Sequence, residues 1–180
     1  FVELAVRAGD QVGCDLVEEL TLEAPLILPA SGSVRVQVSV GAEDGSGRRE
    51  LTLYSGDGEV ADDGRAWTGH ATGVVRAGGR AEEPGLAEWP PAGAEAVDLD
   101  GFYERMASGG FGYGPVFRGL RAAWRVGGDV FAEVALPEGV KAEGFGLHPA
   151  LLDAALHAVG LLPDADGTGR LPFSWSGVRL

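Results

Sequence analysis

The chain has 180 residues, a length that suits one domain of moderate size or two small lobes with a shared core. Hydrophobic residues make up 45% and charged residues 23%, which is typical of a folded globular protein and excludes a disordered chain. Its 27 acidic and 14 basic residues give a net charge of −13. Such a surface repels phosphate, so we expect neither nucleic-acid binding nor docking to anionic lipid.

The sequence also bears on the compartment. Cys14 is the only cysteine, so a disulfide within the chain is excluded and a reducing cytoplasm fits. No apolar run approaches the ~20 residues of a membrane span, and the N-terminus lacks the basic start of a signal peptide. Because the chain begins with Phe1 instead of an initiating methionine, we expect it to have been cut from a longer protein.

The first part of the chain, residues 1–76, predicts one helix followed by about four antiparallel strands. Apolar residues recur at helical spacing between Phe1 and Val12. Between Ser33 and Val40, valines alternate with polar residues, which is the pattern of a strand in a sheet with one solvated face.

Residues 77–95 differ in composition, being rich in Gly, Pro and Glu without periodicity, and predict an exposed linker. Residues 96–180 then predict a second unit. It comprises a short helix capped by Asp98, two strands joined at Gly127 and Gly128, an apolar helix over HPALLDAALHAVGLL and a final strand over LPFSWSGVRL. Since strands and helices do not alternate as βαβ units, the sequence predicts an α+β fold.

Asp153 and His157 are the polar exceptions in the apolar helix, which we expect to be buried. Four residues apart, they share one helix face. A carboxyl group that loses solvent can stay protonated near neutral pH and act as a general acid, and a histidine can hold it in place. The alternative is an ion pair at the rim of the core without chemistry.

Three further residues are weaker candidates. Tyr113 lies between two glycines and before a proline, a turn that lets backbone approach a ligand, although it could equally be a core-packing tyrosine. His148 is expected to orient the start of the apolar helix, and His70 to be a partly buried strand histidine. No spacing of His and Cys predicts a metal site.

Three motifs together, YGPVFRGL, HPALLDAALH and LPFSWSGV, resemble the dehydratase domain of modular type I polyketide synthases. The segments FVELAVRAGDQVG, VEELTLEAPLILP and WTGHATG are similar to that family as well, and the Gly-rich, Lys-poor composition resembles actinobacterial members. The resemblance implies a double hot dog fold, incomplete here at both ends. It divides the chain into hot dogs at 1–76 and 96–180.

The resemblance also implies an activity. The family eliminates water from a 3-hydroxyacyl thioester to give a 2,3-enoyl thioester, on a chain carried by the phosphopantetheine of an acyl carrier protein, with no cofactor bound directly. It implies Asp153 as the general acid, His157 as its support and Tyr113 as a hydrogen-bonding partner near the β-hydroxyl. Neighbouring motif positions are implied to contact the substrate: Gly114, Pro115, His148 and Pro149.

The family's catalytic base is a histidine in an H-x-x-x-G-x-x-x-x-P motif that precedes the segment matching FVELA, so we expect it to be missing here and the isolated chain to be inactive. His70 belongs to another motif. The resemblance further implies a cytoplasmic multifunctional synthase of antibiotic biosynthesis, neighbouring synthase domains as partners and a homodimer. Two alternatives stay open, a noncatalytic structural hot dog and an isomerase or cyclase on the same fold.

Overall fold

The computed structural model describes residues 1–57, 67–78, 85, 88–162 and 171–180. The described helices are α1 (Val2–Asp10), α2 (Phe102–Ser108) and α3 (Pro149–Leu156). The described strands are β1 (Leu16–Leu22), β2 (Val34–Glu43), β3 (Arg48–Asp57), β4 (Thr68–Arg76), β5 (Glu95–Ala96), β6 (Leu120–Val126), β7 (Asp129–Val134) and β8 (Ser174–Val178). None of these helices is long and apolar enough to cross a membrane.

The chain forms two compact units, and the first is built from two segments, Phe1–Arg80 and Pro172–Leu180. The second unit is Ala81–Leu171. The sequence had placed the final strand in the second unit, but β8 pairs antiparallel with β1 of the first. The alternation of side chains predicts a strand without indicating which sheet edge accepts it, which explains this error. Of the expected linker, 79–84 and 86–87 lie outside the described residues.

The first unit is an antiparallel sheet in the order β2-β3-β4-β1-β8, with α1 packed against β1, β2 and β4. The predicted helix and the four strands that follow it are confirmed. Period-two patterning puts one face of the central strands in the core, where the largest fully buried side chains are Leu20, Leu51, Leu53 and Val75. The predicted alternation of buried and exposed side chains is weaker along β2, which is an edge strand of the sheet, since Val36 is 38% exposed.

The second unit contains the antiparallel sheet β5-β6-β7. Its core is a cluster of Phe102 from α2, Leu120 and Ala123 from β6, and Leu161. The sequence predicted that Asp98 caps α2, but the residue at that position is Gly101. The Asp98 carboxylate instead accepts a hydrogen bond from the backbone of Asp100, because the chain turns before the helix starts.

The apolar helix of the second unit is confirmed, but it is less buried than its apolar content predicted. It runs as α3 to Leu156 and continues as a 3₁₀ turn over His157–Leu161. One face is buried, formed by Ala150, Ala154, His157 and Leu161. Val159 is 42% exposed, so high apolar content on a short helix did not translate into complete burial.

Candidate active site

The start of α3 is set by the His-Pro pair that precedes the apolar residues. The Nδ1 atom of His148 accepts a hydrogen bond of 3.2 Å from the backbone N–H of Ala150, so it caps the helix. Pro149 occupies the first helical position, where its missing N–H costs nothing. The cap and the proline fix where α3 begins, and thereby which face of the helix each following side chain lies on.

Asp153 and His157 face each other along this helix, with 3.3 Å between Oδ2 of the carboxylate and Nε2 of the imidazole. The imidazole is buried at 3% exposure, whereas the Asp153 side chain is 38% exposed. The distance is that of an ion pair, but its geometry does not make a hydrogen bond, and among the described residues the buried Nε2 atom has no hydrogen-bond partner. The sequence had expected a buried carboxyl group, and the structure leaves Asp153 in partial contact with solvent.

Burial also sets the charge of His157. Desolvation lowers the pKa of His157 below its usual 6.5, and the carboxylate of Asp153 offsets part of that shift. The imidazole is therefore neutral near pH 7, with one ring nitrogen protonated and the other an acceptor.

Tyr113 reaches the same place from the turn before β6. Its ring centroid lies 4.2 Å from that of His157, with the planes tilted by 53°. Desolvation raises the pKa of Tyr113 above 10.0, and the negative charge of Asp153 adds to the effect. The phenol thus remains a hydrogen-bond donor at physiological pH.

Tyr103, on α2, is a member of the cluster that the sequence analysis missed. Its hydroxyl lies 3.2 Å from Nδ1 of His157 and accepts a hydrogen bond of 3.0 Å from the backbone N–H of Leu120. Desolvation raises the pKa of Tyr103 above 10.0, with the Leu120 amide acting in the opposite direction. In sequence it stands beside the core residue Phe102, a pattern that predicts packing and carries no signal of a polar role.

A glycine allows the turn and α3 to come together. A Cβ atom at Gly119 would lie 2.7 Å from Cβ of Ala154 and 3.0 Å from the carbonyl oxygen of Ala135. Both distances are below normal contact, so only glycine fits where the chain enters β6 beside α3.

The remaining predicted residues lie around this cluster or apart from it. Gly114 and Pro115 are exposed, Gly114 with extended backbone and Pro115 at the start of a 3₁₀ turn. His70 belongs to the first unit, buried in β4. Its Nδ1 lies 3.0 Å from the carbonyl oxygen of Ala24 and its Nε2 lies 2.7 Å from the hydroxyl of Ser55.

The cluster combines a partly exposed carboxyl group, a neutral imidazole behind it and phenol groups that stay protonated. This set can deliver a proton to a bound oxygen atom and stabilise the carboxylate left behind. Within the described parts of the chain, no group of three or more His, Cys, Asp and Glu residues is arranged to hold a metal ion.

Comparison with known proteins decides the family. Residues 81–180 match the family described as "Polyketide synthase dehydratase N-terminal domain", and residues 1–56 match the "Polyketide synthase dehydratase domain" family. The chain belongs to the polyketide synthase dehydratases. The resemblance stated from the YGP, HPALLD and LPFSWSGV motifs is thereby confirmed.

Individual relatives of the chain are polyketide synthases. The chain is 59% identical over 187 residues to polyketide synthase GfsA of Streptomyces halstedii, covering 100% of this chain and 2% of GfsA. It is 62% identical over 165 residues to the pikromycin polyketide synthase component PikAII of Streptomyces venezuelae, covering 89% of this chain and 4% of PikAII. The chain thus spans a small part of the curated relatives it matches.

A solved structure confirms the fold of these dehydratases. The study described as "Structural insights into dehydratase substrate selection for the borrelidin and fluvirucin polyketide synthases" provides a chain that is 52% identical, with a TM-score of 0.92. The match covers 100% of this chain and 64% of that one. The predicted α+β class with hot dog architecture is confirmed.

Proposed function

We propose that this chain provides the acid side of a dehydratase active site within a longer polyketide synthase. The reaction eliminates water from a 3-hydroxyacyl thioester on an acyl carrier protein and leaves a 2,3-enoyl thioester. The observation that carries the proposal is the pairing of partly exposed Asp153 with the buried, neutral imidazole of His157, beside Tyr113.

The roles follow from the chemistry of the elimination. A base removes the proton α to the thioester carbonyl, the electron pair forms the carbon–carbon double bond, and the bond between the β-carbon and oxygen breaks. Because hydroxide is a poor leaving group, Asp153 transfers its proton to that oxygen and water departs. Asp153 ends as a carboxylate, facing His157 at 3.3 Å. Tyr113 donates a hydrogen bond near the β-hydroxyl.

The α-proton base is proposed to lie outside these 180 residues. The chain has three histidines. His157 supports the acid, His148 caps α3, and both ring nitrogens of His70 have partners at hydrogen-bond distance. The resemblance implies that the base is a histidine in an H-x-x-x-G-x-x-x-x-P motif, which these 180 residues do not contain, so the chain alone is expected to be inactive.

Substrate delivery is proposed to rely on tethering. The acyl chain arrives on the phosphopantetheine arm of a carrier protein, and no cofactor is bound directly. The net charge of −13 disfavours strong attraction to an acidic carrier, but a carrier within the same assembly has a high effective concentration. Neighbouring synthase domains, a homodimer and a cytoplasmic location complete the proposal. The exposed positions Gly114 and Pro115, with His148 and Pro149, would contact the arriving acyl chain.

The test is an assay of the complete dehydratase domain on carrier-bound 3-hydroxyacyl substrates, read by mass spectrometry as loss of water. Asp153→Asn removes the acid proton and should lower kcat by about 100-fold or more. The matched control is Asp129→Asn, at an exposed carboxylate on β7 of the same unit, which should leave turnover unchanged.

Two outcomes would contradict the proposal. Turnover by Asp153→Asn at the wild-type rate would remove Asp153 from its role. A complete domain that releases no water from any 3-hydroxyacyl substrate would favour the noncatalytic alternative. The 180-residue chain, assayed in parallel, is expected to show no turnover.

A further inference from the structure

The hydroxyl of Tyr103 lies between a backbone amide and the buried imidazole of the candidate acid pair. It is 3.0 Å from the N–H of Leu120 and 3.2 Å from Nδ1 of His157. The other ring nitrogen of His157, Nε2, faces Oδ2 of Asp153. Four groups from α2, β6 and the α3 segment thus form one continuous row within the second unit.

The direction of the hydrogen bonds in this row follows from the amide. A backbone N–H can only donate, so the Tyr103 oxygen accepts from Leu120. A phenol has a single proton, and that proton remains available for the second neighbour, Nδ1 of His157. If Nδ1 accepts, the proton of the neutral imidazole must reside on Nε2.

We propose that Tyr103 is a positioning residue, which holds His157 as the tautomer with its proton on Nε2, the ring nitrogen that lies 3.3 Å from Oδ2 of Asp153. This inference rests on the proposed function, since it assigns what prepares Asp153 for its role as acid. Because the Nε2–H group would face Oδ2 at 3.3 Å, the transferable proton of Asp153 is favoured on the other carboxyl oxygen, Oδ1. After transfer, the positive end of the same Nε2–H dipole, 3.3 Å from Oδ2, stabilises the new carboxylate electrostatically.

The opposite tautomer would be unfavourable at both ends of the row. With its proton on Nδ1, the imidazole would turn an Nε2 lone pair towards a carboxylate oxygen at 3.3 Å. The phenol oxygen of Tyr103 would then receive two donors, and its own proton would need another acceptor. Burial keeps both rings uncharged, because it lowers the pKa of His157 and raises the pKa of Tyr103.

The packing around Tyr103 keeps its hydroxyl in place. The ring meets Phe102 edge-on at 5.2 Å between centroids and His157 edge-on at 5.6 Å. The guanidinium of Arg118 lies over the Tyr103 ring, 5.6 Å from its centroid. A phenol ring fixed by such contacts can impose a hydrogen-bond direction on its neighbour.

The first test is nitrogen NMR of the complete dehydratase domain labelled with ¹⁵N-histidine, with the His157 signals assigned by their loss in His157→Gln. In the wild type, Nε2 of His157 should appear protonated and Nδ1 unprotonated. In Tyr103→Phe, His157 should become a mixture of both tautomers. His70 offers an internal control, since the carbonyl of Ala24 requires its proton on Nδ1, and its signals should not change.

The second test is kinetic. Tyr103→Phe should lower kcat by about tenfold with KM unchanged, as expected for loss of one hydrogen bond that acts on the acid. In an Asp153→Asn background, the same substitution should have no further effect on the residual rate, because Tyr103 acts only through the carboxyl group.

The outcomes separate this inference from the proposed function. A wild-type His157 with its proton on Nδ1, or one whose tautomer is unchanged by Tyr103→Phe, would overturn the role of Tyr103 whether or not the domain dehydrates. An inactive domain with the expected tautomer would contradict the proposed function and leave the positioning by Tyr103 supported.

Discussion

His157 and Asp153 lie one helical turn apart with 3.3 Å between Nε2 and Oδ2, yet the imidazole is almost completely buried and the carboxylate reaches solvent. The pair therefore has an inner and an outer member. The outer member can meet a substrate, whereas the inner member can only act on the outer one. This division predicts that the two residues affect stability and activity differently.

His157 should make the stability of the domain depend on pH. Its pKa in the folded state is below 6.5, so the unfolded state binds a proton first as the pH falls. The titration of His157 should leave the free energy of unfolding unchanged above about pH 7. At pH values below 6.5, it should lower the free energy of unfolding by at most about 1.4 kcal/mol per pH unit. Urea denaturation between pH 5 and pH 8 measures this slope.

The slope should diminish in His157→Gln, which has no titrating group at this position. Asp153 on the same segment, Tyr103 on α2 and Tyr113 on the turn face the imidazole and are retained in that variant. Val159→Gln, at an exposed position of the same 3₁₀ turn, is the control and should keep the wild-type slope. An unchanged slope in His157→Gln would mean that other groups cause the dependence.

Tyr113→Phe should reduce turnover of the complete domain without unfolding it. The phenol is placed beside His157 and stays protonated, so its loss removes one hydrogen bond to the substrate, with an effect of about tenfold on kcat/KM. Steady-state assays on a carrier-bound substrate provide the measurement. Tyr54→Phe, in β3 of the other unit, is the matched control. Equal rates for both variants would exclude Tyr113 from the reaction.

Gly119→Ala should destabilise the second unit, because the new Cβ would lie 2.7 Å from Cβ of Ala154. Overpacking of this kind costs about 1–3 kcal/mol, which thermal denaturation detects as a lower Tm. The double variant Gly119→Ala with Ala154→Gly removes the closest contact and should recover part of the loss. Gly128→Ala, where a Cβ meets nothing within 4 Å, is the control. A Gly119→Ala protein as stable as the control would contradict the close approach.

Ser55→Ala should destabilise the first unit while leaving catalysis intact. The carbonyl of Ala24 requires a proton on Nδ1 of His70, so Nε2 accepts from the Ser55 hydroxyl at 2.7 Å. Without that donor, a buried acceptor is left unsatisfied, at a cost of about 1–3 kcal/mol. Urea denaturation gives the value, with Ser39→Ala on exposed β2 as the comparison. Loss of turnover at unchanged stability would instead give His70 a catalytic role.

The sequence predicted the elements better than their partners. Period-two valines and the apolar run after Pro149 identified strands and a helix, since these patterns reflect local geometry. The strand Ser174–Val178 was assigned to the wrong unit, because the choice of a sheet edge depends on residues far away in the chain. Asp98 was predicted to cap a helix, but its carboxylate instead accepts a hydrogen bond from the backbone N–H of Asp100.

The candidate site shows the same limit. Asp153 and His157 could be paired from their spacing of four, since a helix brings such residues together. Tyr103 could not be found, because its partners are the backbone of Leu120 and a histidine on another element. Contacts between segments that are far apart in the chain produce no periodic pattern in the sequence. Burial was also misjudged, since the exposure of Asp153 depends on what packs around α3.

The pairing of β8 with β1 has a consequence for the order of folding. Thr21 pairs with Ser174, and the whole second unit lies between them in sequence, as an insertion into the first. During synthesis from the N-terminus, the inserted unit is therefore complete on the nascent chain before the first unit's sheet can add β8. Such a late pairing of distant segments raises contact order and slows folding. The edge of β1 must remain unpaired, and open to wrong partners, until the ribosome has released residues 174–178.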